Sequence, residues 1–294
     1  MAKVAQFPWR RVVYFSWLKL VYFILPFTRN GDTPETMNLV IDKLAQIVLE
    51  DAHRTRQSTG FLAIDKLTTG LVDEDLVVIA SRPALGKTVL ALNIANHLTK
   101  EKAKTIAIFS LEMSKEQIVH RLQRASGREY TEADNLLIYD DPWITVEKIS
   151  EICKKIENLS AVIVDYFQLI DDPAYHTENK AHRGFAYSSI SRGLKQLARD
   201  LMVPVVCTMQ LGRQIEHRKD KRPIMKEDLR EFGSLEQDAD QILLLYRDRY
   251  YNPETPLGDI AECIVAKNRH GDCGTVRLRW DPEKATFSDE DVVE

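Results

Sequence analysis

Residues 81–88 read Ser81-Arg82-Pro83-Ala84-Leu85-Gly86-Lys87-Thr88 and separate two segments of opposite character. The apolar run 76–80 before them is typical of a buried strand, and the pattern of 87–99 after them is typical of a helix. A strand, a turn with Gly-Lys-Thr and a helix form the context of a phosphate-binding loop. We therefore predict that residues 81–88 hold phosphate, that Lys87 reaches its oxygens and that the Thr88 hydroxyl binds Mg²⁺. The usual pattern begins with glycine, so Ser81 fits only if its backbone avoids positive φ.

Outward from this loop, short apolar runs alternate with amphipathic segments. We predict strands at 76–80, 105–111, 136–139, 161–165, 203–209, 241–246, 260–266 and 275–280. We predict helices at 87–99, 115–126, 146–158 and 187–200. Near-continuous apolar strands separated by helices indicate an α/β fold with a mostly parallel sheet that is covered on both faces. The last strands follow one another without helices, which predicts an antiparallel C-terminal extension.

Two carboxylates follow predicted strands. Asp165 ends the apolar run 161–165, at the strand end where α/β sheets bind ligands, and there it could hold Mg²⁺ directly or through water. The alternative is an aspartate that caps the next turn. Glu112 follows the strand at 105–111, where it could orient or deprotonate an attacking water. Spacing alone does not distinguish this role for Glu112 from that of an acidic residue near a helix N-terminus.

The composition is that of an ordinary globular protein, with 44% hydrophobic and 29% charged residues. The formal net charge of −4 argues against a uniformly basic surface that coats nucleic acid, but it leaves room for a local basic loop. The four cysteines form no CxxC pair and have no histidine partner at zinc spacing. This usage is typical of reduced thiols in a cytoplasmic protein.

The chain divides into three predicted parts. Residues 1–30 form an apolar and basic extension, whose stretch 7–27 is interrupted by charged and helix-breaking residues. Its apolar run is short for a membrane span and lacks a small-residue cleavage site. Packing on the protein itself, contact with a membrane and cleavage as a signal stay open. Residues 31–57 form a linker with a helix at 34–52, and residues 58–294 form the main domain.

Further strings follow the phosphate loop in a fixed order. They include Ser-Leu-Glu-Met at 110–113, Val-Asp-Tyr-Phe-Gln-Leu at 164–169, Asp-Lys-Arg-Pro at 220–223, Tyr-Arg-Asp at 246–248, and the longer segments 203–211, 228–240 and 267–278. Together with 59–61 and 70–71, they make residues 58–287 resemble the C-terminal domain of DnaB-type replicative helicases. The resemblance implies a RecA-like P-loop core that hydrolyses ATP with Mg²⁺.

The resemblance also implies a homo-hexameric ring with ATP at each subunit interface. In such a ring Lys87 and Glu112 are catalytic, and Gln210 senses the γ-phosphate. Lys267 and Arg269 match the basic pair that reaches the ATP of the neighbouring subunit. Considered without the family, Lys267 and Arg269 are basic residues of a solvated loop after a strand.

The DNA contacts implied by the resemblance lie in a loop that contains Arg230, Glu231 and Gly233. In the family this loop lines the ring centre and follows the phosphates of single-stranded DNA. It ends the segment 212–230, which has a local excess of basic residues and could equally be a solvated surface. Phe232 stands where the family usually has a small polar residue, and it either stacks on a base or packs inward.

The function implied is that of a motor that moves along single-stranded DNA and unwinds duplex during replication, with a loader or primase as further partner. Two departures favour ATP binding over processive unwinding. The helical N-terminal domain of the family has no counterpart in the matched strings, and the segment between Met113 and Asp140 is shorter than in typical members. The alternatives are a DNA-binding ATPase that does not unwind (truncated, phage-derived or accessory) and a nucleotide-binding assembly protein whose N-terminus touches a membrane.

Overall fold

The phosphate loop follows the middle strand of a nine-stranded sheet in a computed structural model of the protein. The structure describes residues 54–100, 104–130, 135–173, 180–229 and 232–290, with the backbone alone at 180–183 and 226. The predicted extension 1–30, the predicted helix 34–52, Arg230 and Glu231 lie outside these ranges.

The elements alternate along the chain as predicted, with several short additions. The strands are β1 Arg56–Gln57, β2 Leu71–Val72, β3 Leu76–Ser81, β4 Thr105–Ser110, β5 Leu136–Tyr139, β6 Leu159–Asp165, β7 Val205–Gln210, β8 Gln241–Tyr246, β9 Ile260–Asn268, β10 Gly274–Asp281 and β11 Thr286–Asp289. The helices are α1 Leu62–Thr68, α2 Lys87–Leu98, α3 Lys115–Ser126, α4 Val146–Cys153, α5 Lys180–Leu201, α6 Met225–Asp228, α7 Gly233–Asp238 and α8 Asp248–Tyr251. Short 3₁₀ turns span Phe167–Leu169 and Arg213–His217. None of the helices described has the length and apolar character that a membrane crossing requires.

The main sheet has the strand order β11-β10-β9-β8-β3-β7-β6-β4-β5, and β1 and β2 form a separate ribbon. Strands β8, β3, β7, β6, β4 and β5 run parallel to one another. Strands β9, β10 and β11 continue the sheet in antiparallel fashion. The predicted α/β class with an antiparallel C-terminal extension is confirmed.

Both faces of the parallel strands are buried except in the edge strand β5, as their continuous apolar sequences predict. In β3, Leu76 and Val78 point into a core layer with α4 and α5, whereas Val77 and Ile79 point into a second layer with α2 and α3. All four side chains are fully buried. The sheet is therefore held between two helical layers, which leaves the strand ends as the place for polar chemistry.

Element boundaries differ from the sequence prediction where distant contacts decide them. The predicted helix 146–158 ends at Cys153, before a turn in which Asn158 has a φ of 53°. Helix α1 and strand β11 were not predicted. Phe61 at the N-cap of α1 makes no side-chain hydrogen bond, and the carboxylate of Asp289 accepts from the N–H groups of Leu62 and Ala63 instead. A helix of seven residues capped from the far end of the chain leaves little local signal.

Phe232 packs inward, which decides between the two alternatives that the sequence left open. Its side chain is 6% exposed. Its ring centroid lies 6.1 Å from that of Phe167 and 5.0 Å from that of Tyr187. The three rings therefore fasten the start of α7 to α5 and to the turn after β6.

We expect Phe232→Ala to lower the free energy of unfolding by about 3 kcal/mol, because it removes a buried aromatic ring from this cluster. Chemical denaturation measures the change. Trp143→Ala is the matched control, since Trp143 is 74% exposed, and it should change stability by less than about 0.5 kcal/mol. Unchanged stability of Phe232→Ala would contradict the packing role.

Candidate functional site

The candidate site lies where the parallel strands end. In the sheet register Ser81 pairs with Gln210, and Ser110 pairs with Asp165. Strands β3 and β7 therefore end together, and β4 and β6 end together two residues earlier along β7, so the residues that follow all four strands meet at the carboxyl edge of the sheet. This edge is where open α/β sheets bind ligands.

The phosphate loop leads directly into α2. Gly86 is the N-cap of α2 with a φ of 108°, and a Cβ atom there would lie 2.7 Å from the ring of Phe287. Only glycine fits this conformation and this close approach. No side chain caps the N-terminus of α2, so its first N–H groups are free to serve as an anion site. Ser81 lies in β3 in extended backbone, so the departure from glycine causes no strain there.

Lys87, Thr88 and Asp165 form a buried polar cluster beneath the loop. Thr88 Oγ1 donates to Asp165 at 2.9 Å from Oδ2 and 3.1 Å from Oδ1. Lys87 Nζ lies 3.5 Å from Asp165 Oδ1 and 4.5 Å from the centroid of the Tyr166 ring. Thr208 Oγ1, in β7, also donates to Asp165 Oδ1. The cluster combines an ammonium group with hydroxyl and carboxylate oxygens, and such oxygens are the ligands that Mg²⁺ prefers.

Glu112 and Gln210 lie beside this cluster. The Glu112 side chain is 54% exposed, and its Oε2 lies 3.7 Å from Lys87 Nζ. Gln210 lines the same cavity. Its backbone is fixed by the amide of Gln168, which donates to Gln210 O at 2.6 Å and accepts from Gln210 N at 3.2 Å. The structure thus brings Lys87, Glu112, Asp165 and Gln210 together with Thr88.

The cavity over these residues has a volume of about 470 Å³. It extends from the phosphate loop to a second end of apolar and cationic character. That end is lined by Leu92, Arg121, Arg124, Ala125 and Trp280. Arg124 is held in place, since its Nε donates to Glu283 O at 2.8 Å. The residues present fit a nucleotide, with anion-binding groups at the phosphate loop and the aromatic side chain of Trp280 elsewhere in the lining.

Pro83, Ala84, Gly86, Lys87 and Thr88 line the cavity, whereas Ser81, Arg82 and Leu85 are not among its lining residues. Leu85 is buried in the protein interior. The guanidinium of Arg82 is turned away from the cavity toward the segment that follows β7. Its Nη1 donates to Leu211 O at 2.7 Å, and it pairs with Glu216.

Lys267 and Arg269 lie at the opposite ends of the strands. Lys267 pairs in register with Ile242, near the start of β8, so neither residue reaches the phosphate loop of its own chain. Lys267 Nζ donates to Glu236 O at 2.6 Å, and Arg269 Nη2 donates to Gln237 O at 2.6 Å. Burial, and then the neighbouring Arg269, lower the pKa of Lys267.

Asp240 anchors this second group. Its buried carboxylate accepts from Arg269 Nη1 at 3.0 Å, from Lys195 Nζ at 2.6 Å and from Leu76 N at 2.8 Å. A buried carboxylate with two cations and a backbone N–H is well compensated. Hydrogen bonds to Asp240 and Gln237 therefore fix the Arg269 side chain. The alternative of a solvated loop did not predict such contacts.

The basic segment before α7 is largely tied to the chain itself. Arg218 donates to Glu227 at 2.7 Å and to Asp228 at 2.8 Å, and Arg222 donates to Glu262 at 2.8 Å. Exposed basic side chains remain at Arg213 and Lys219. Of the predicted DNA contacts, only Gly233 is described, and it is the exposed first residue of α7.

Sequence reasoning missed Arg121 and Arg124 of the cavity lining as well as Thr208, Gln168 and Trp280. Thr208 and Gln168 lie in strings that the family resemblance had marked, but their side-chain partners come from other strands. Trp280 lies in β10, far along the chain from the phosphate loop. The polar Thr208 inside the apolar run of β7 was the one local signal, because a buried hydroxyl needs a partner.

Comparison with known proteins agrees with this geometry. The sequence profile of the DnaB-like helicase C terminal domain matches residues 57–129 and 124–289. The replicative DNA helicase DnaB of Geobacillus stearothermophilus is 39% identical over 272 residues, covering 84% of this chain and 59% of that protein. This chain therefore spans somewhat over half the length of that relative.

Solved structures give the same result. An ATPase domain of known structure superposes with a TM-score of 0.73 at 33% identity, covering 88% of this chain and 100% of that one. A DnaB-like replicative helicase, described together with its interactions with primase, superposes with a TM-score of 0.72 at 32% identity and covers 90% of this chain and 68% of that one. From the profile match, the relatives and the shared fold, we conclude that this chain belongs to the DnaB-like helicase C-terminal domain family.

Proposed function

We propose that this chain is a Mg²⁺-dependent ATP hydrolase that drives movement along single-stranded DNA and unwinds duplex during replication. The observation that carries the proposal is that Lys87, Thr88 and Glu112 line one cavity and that the buried Asp165 contacts both Lys87 and Thr88. In a member of this family such a meeting is the arrangement that ATP hydrolysis needs. We assign the motor to residues 58–294.

Each residue has a separate task. Backbone N–H groups of the loop and of the α2 N-terminus hold the phosphate oxygens, and Lys87 neutralises their charge. Thr88 and Asp165 hold Mg²⁺, which stabilises negative charge on the phosphates when bound. Glu112, partly exposed beside Lys87, is placed to orient a water and accept its proton. Gln210, on a backbone fixed by Gln168, is placed to contact the terminal phosphate.

The far end of the cavity suits the nucleobase. Trp280 offers an aromatic surface there, and its ring is backed by the guanidinium of Arg247 at 4.2 Å. Arg121 and Arg124 approach the cavity from α3. Stacking of a nucleobase on Trp280 favours a purine, because a purine has the larger ring area, and it requires no hydrogen bond to the base.

A second subunit completes the site. Lys267 and Arg269 lie too far from their own phosphate loop to act there, so their proposed role is at the ATP of the neighbouring subunit in a homo-oligomeric ring, by family analogy a hexamer. A planar, permanently charged guanidinium suits a phosphoryl oxygen.

The DNA-facing side is assigned to Arg230, Glu231 and Gly233, and the exposed Arg213 and Lys219 of the preceding segment are further candidate contacts. Contacts to phosphates alone give sequence-tolerant, salt-sensitive binding. A helicase loader or primase is the further partner that we propose by family analogy. The buried thiols of Cys153, Cys207 and Cys263 suit the reducing cytoplasm, where we place the protein.

The P-loop assignment predicts that Lys87→Ala lowers ATP turnover by at least about a hundredfold, because the negative charge on the transferred phosphoryl group loses a cation that contacts it directly. Steady-state phosphate release measures the effect. Lys100→Ala, on the exposed end of the turn after α2, is the matched control and should keep wild-type turnover. Turnover that survives Lys87→Ala in a folded protein would remove the assignment.

The proposed trans role predicts complementation between two inactive variants. Arg269→Ala alone should lose most turnover, and mixing it with Lys87→Ala subunits should restore part of it. Recovery is expected because a mixed ring contains interfaces that combine an intact phosphate loop with an intact Arg269. Turnover is measured against mixing ratio, and subunit exchange is verified by fluorescence energy transfer. Exchange without recovery would leave Arg269 as a structural partner of Asp240.

The DNA assignment predicts that Arg230→Ala weakens single-stranded DNA binding for all sequences alike and reduces the salt slope of log K by about 1. Fluorescence anisotropy at several salt concentrations measures this, with ATP affinity as the internal control.

A forked-duplex displacement assay on the wild-type chain tests unwinding directly. DNA-stimulated ATP turnover without displacement would favour the alternative of a DNA-binding ATPase that does not unwind.

A further inference from the structure

The side chain of Arg82 connects the phosphate loop to a different part of the fold. Its guanidinium is 7% exposed, although it belongs to the loop that borders the cavity. Nη1 donates to the carbonyl of Leu211 at 2.7 Å, and Nε donates to Glu216 Oε1 at 3.0 Å. Nη2 donates to the same carboxylate oxygen. Three donors of one rigid group are thus used on the segment that follows β7.

The backbone strengthens this connection. Leu211 N donates to Ser81 O at 2.9 Å, so the first residue of the loop and the first residue after β7 are bonded directly. Glu216 lies in the 3₁₀ turn that opens the basic segment. Its carboxylate is 46% exposed, and the neighbouring Arg82 lowers its pKa. The pair therefore joins a buried cation to an accessible anion on a surface segment.

From Glu216 the contacts continue to the residues before the predicted DNA loop. Lys221 Nζ donates to the carbonyl of Glu216 and, at 2.5 Å, to that of Arg218. Arg218 is fixed to Asp228 at 2.8 Å, and Asp228 Oδ2 accepts from Ile224 N at 2.6 Å. These contacts link Glu216 to α6, which ends two residues before Arg230.

We propose that the contact between Arg82 and Glu216 is a positioning contact, by which the state of the phosphate loop sets the position of residues 212–229. The inference rests on the proposed function, since it explains how nucleotide would change DNA contacts in the same subunit. The Arg82 backbone is part of the loop that holds phosphate, so a loop movement shifts its guanidinium. Because three donors of the Arg82 guanidinium are engaged, the orientation of the ion pair is fixed as well as its distance. A shift of the guanidinium therefore moves the Glu216 carboxylate with it.

Glu216→Ala tests the contact, because it leaves the phosphate loop and all catalytic side chains in place. DNA-free ATP turnover should stay at the wild-type level. Stimulation of turnover by single-stranded DNA should fall about fivefold or more, the usual size of a lost coupling between two sites. Glu216→Gln keeps a neutral acceptor for Arg82 and should give an intermediate value. Glu147→Ala, an exposed glutamate on α4, is the control and should behave as wild type.

Limited trypsin digestion gives a second measurement that needs no DNA. Cleavage after the exposed Arg213 and Lys219 should change several-fold when a non-hydrolysable ATP analogue and Mg²⁺ are added to the wild-type chain. Glu216→Ala should lose this response, whereas Glu147→Ala should keep it.

The outcomes separate this inference from the proposed function. If DNA stimulates wild type and Glu216→Ala equally, or if nucleotide does not alter cleavage of the wild-type segment, the positioning contact is overturned while the motor assignment stands. If DNA stimulates neither protein but the nucleotide response of cleavage disappears only in Glu216→Ala, the contact is supported and the proposed DNA coupling fails.

Discussion

The hydrogen bonds from Thr88 to Asp165 are the interaction on which the rest of the site depends. A carboxylate that is 3% exposed is costly unless its oxygens are satisfied, and here the partners come from α2 and from Thr208 in β7. These bonds depend on the register of β6 and β7, in which Val164 pairs with Cys207 and the next residues, Asp165 and Thr208, lie side by side. The same arrangement that compensates the buried charge thus places the oxygens of Thr88 and Asp165 together beneath the phosphate loop, where we propose that Mg²⁺ binds.

The sequence predicted the parts of the fold that are encoded locally. Continuous apolar runs identified the parallel strands, and the phosphate loop was legible because strand, turn and helix follow one another directly along the chain from Leu76. The orientation of the Arg82 side chain could not be predicted from the sequence, because its partners Leu211 and Glu216 lie 129 and 134 residues away along the chain. The cap that Asp289 gives to α1 was hidden for the same reason. Long-range partners, rather than weak propensities, account for what the sequence did not reveal.

The charge of the segment 212–230 could not be interpreted from its sequence alone either. The segment 212–230 has an excess of basic residues, yet Arg218 and Arg222 are neutralised by Glu227, Asp228 and Glu262. The ion pairs of Arg218 and Arg222 therefore restrict the conformation of the segment, because a planar guanidinium that is bonded to two partners holds the backbone on which it sits. Because these arginines are paired internally, only the remaining cations of the segment, such as Arg213 and Lys219, are available for the DNA contact that we propose.

Lys267 and Arg269 show how such positioning extends to the far end of the strands. Both donate to carbonyls at the end of α7, and Arg269 also contacts Asp240, which itself accepts from the first residue of β3. The six residues of α7 span only about 9 Å, so its start at Gly233 and its held end cannot move independently. Because β3 ends in the phosphate loop, this strand connects the charged group around Asp240 to the charged group around Lys87. Within a single chain they stay a strand length apart, and a shared site between them requires a second copy.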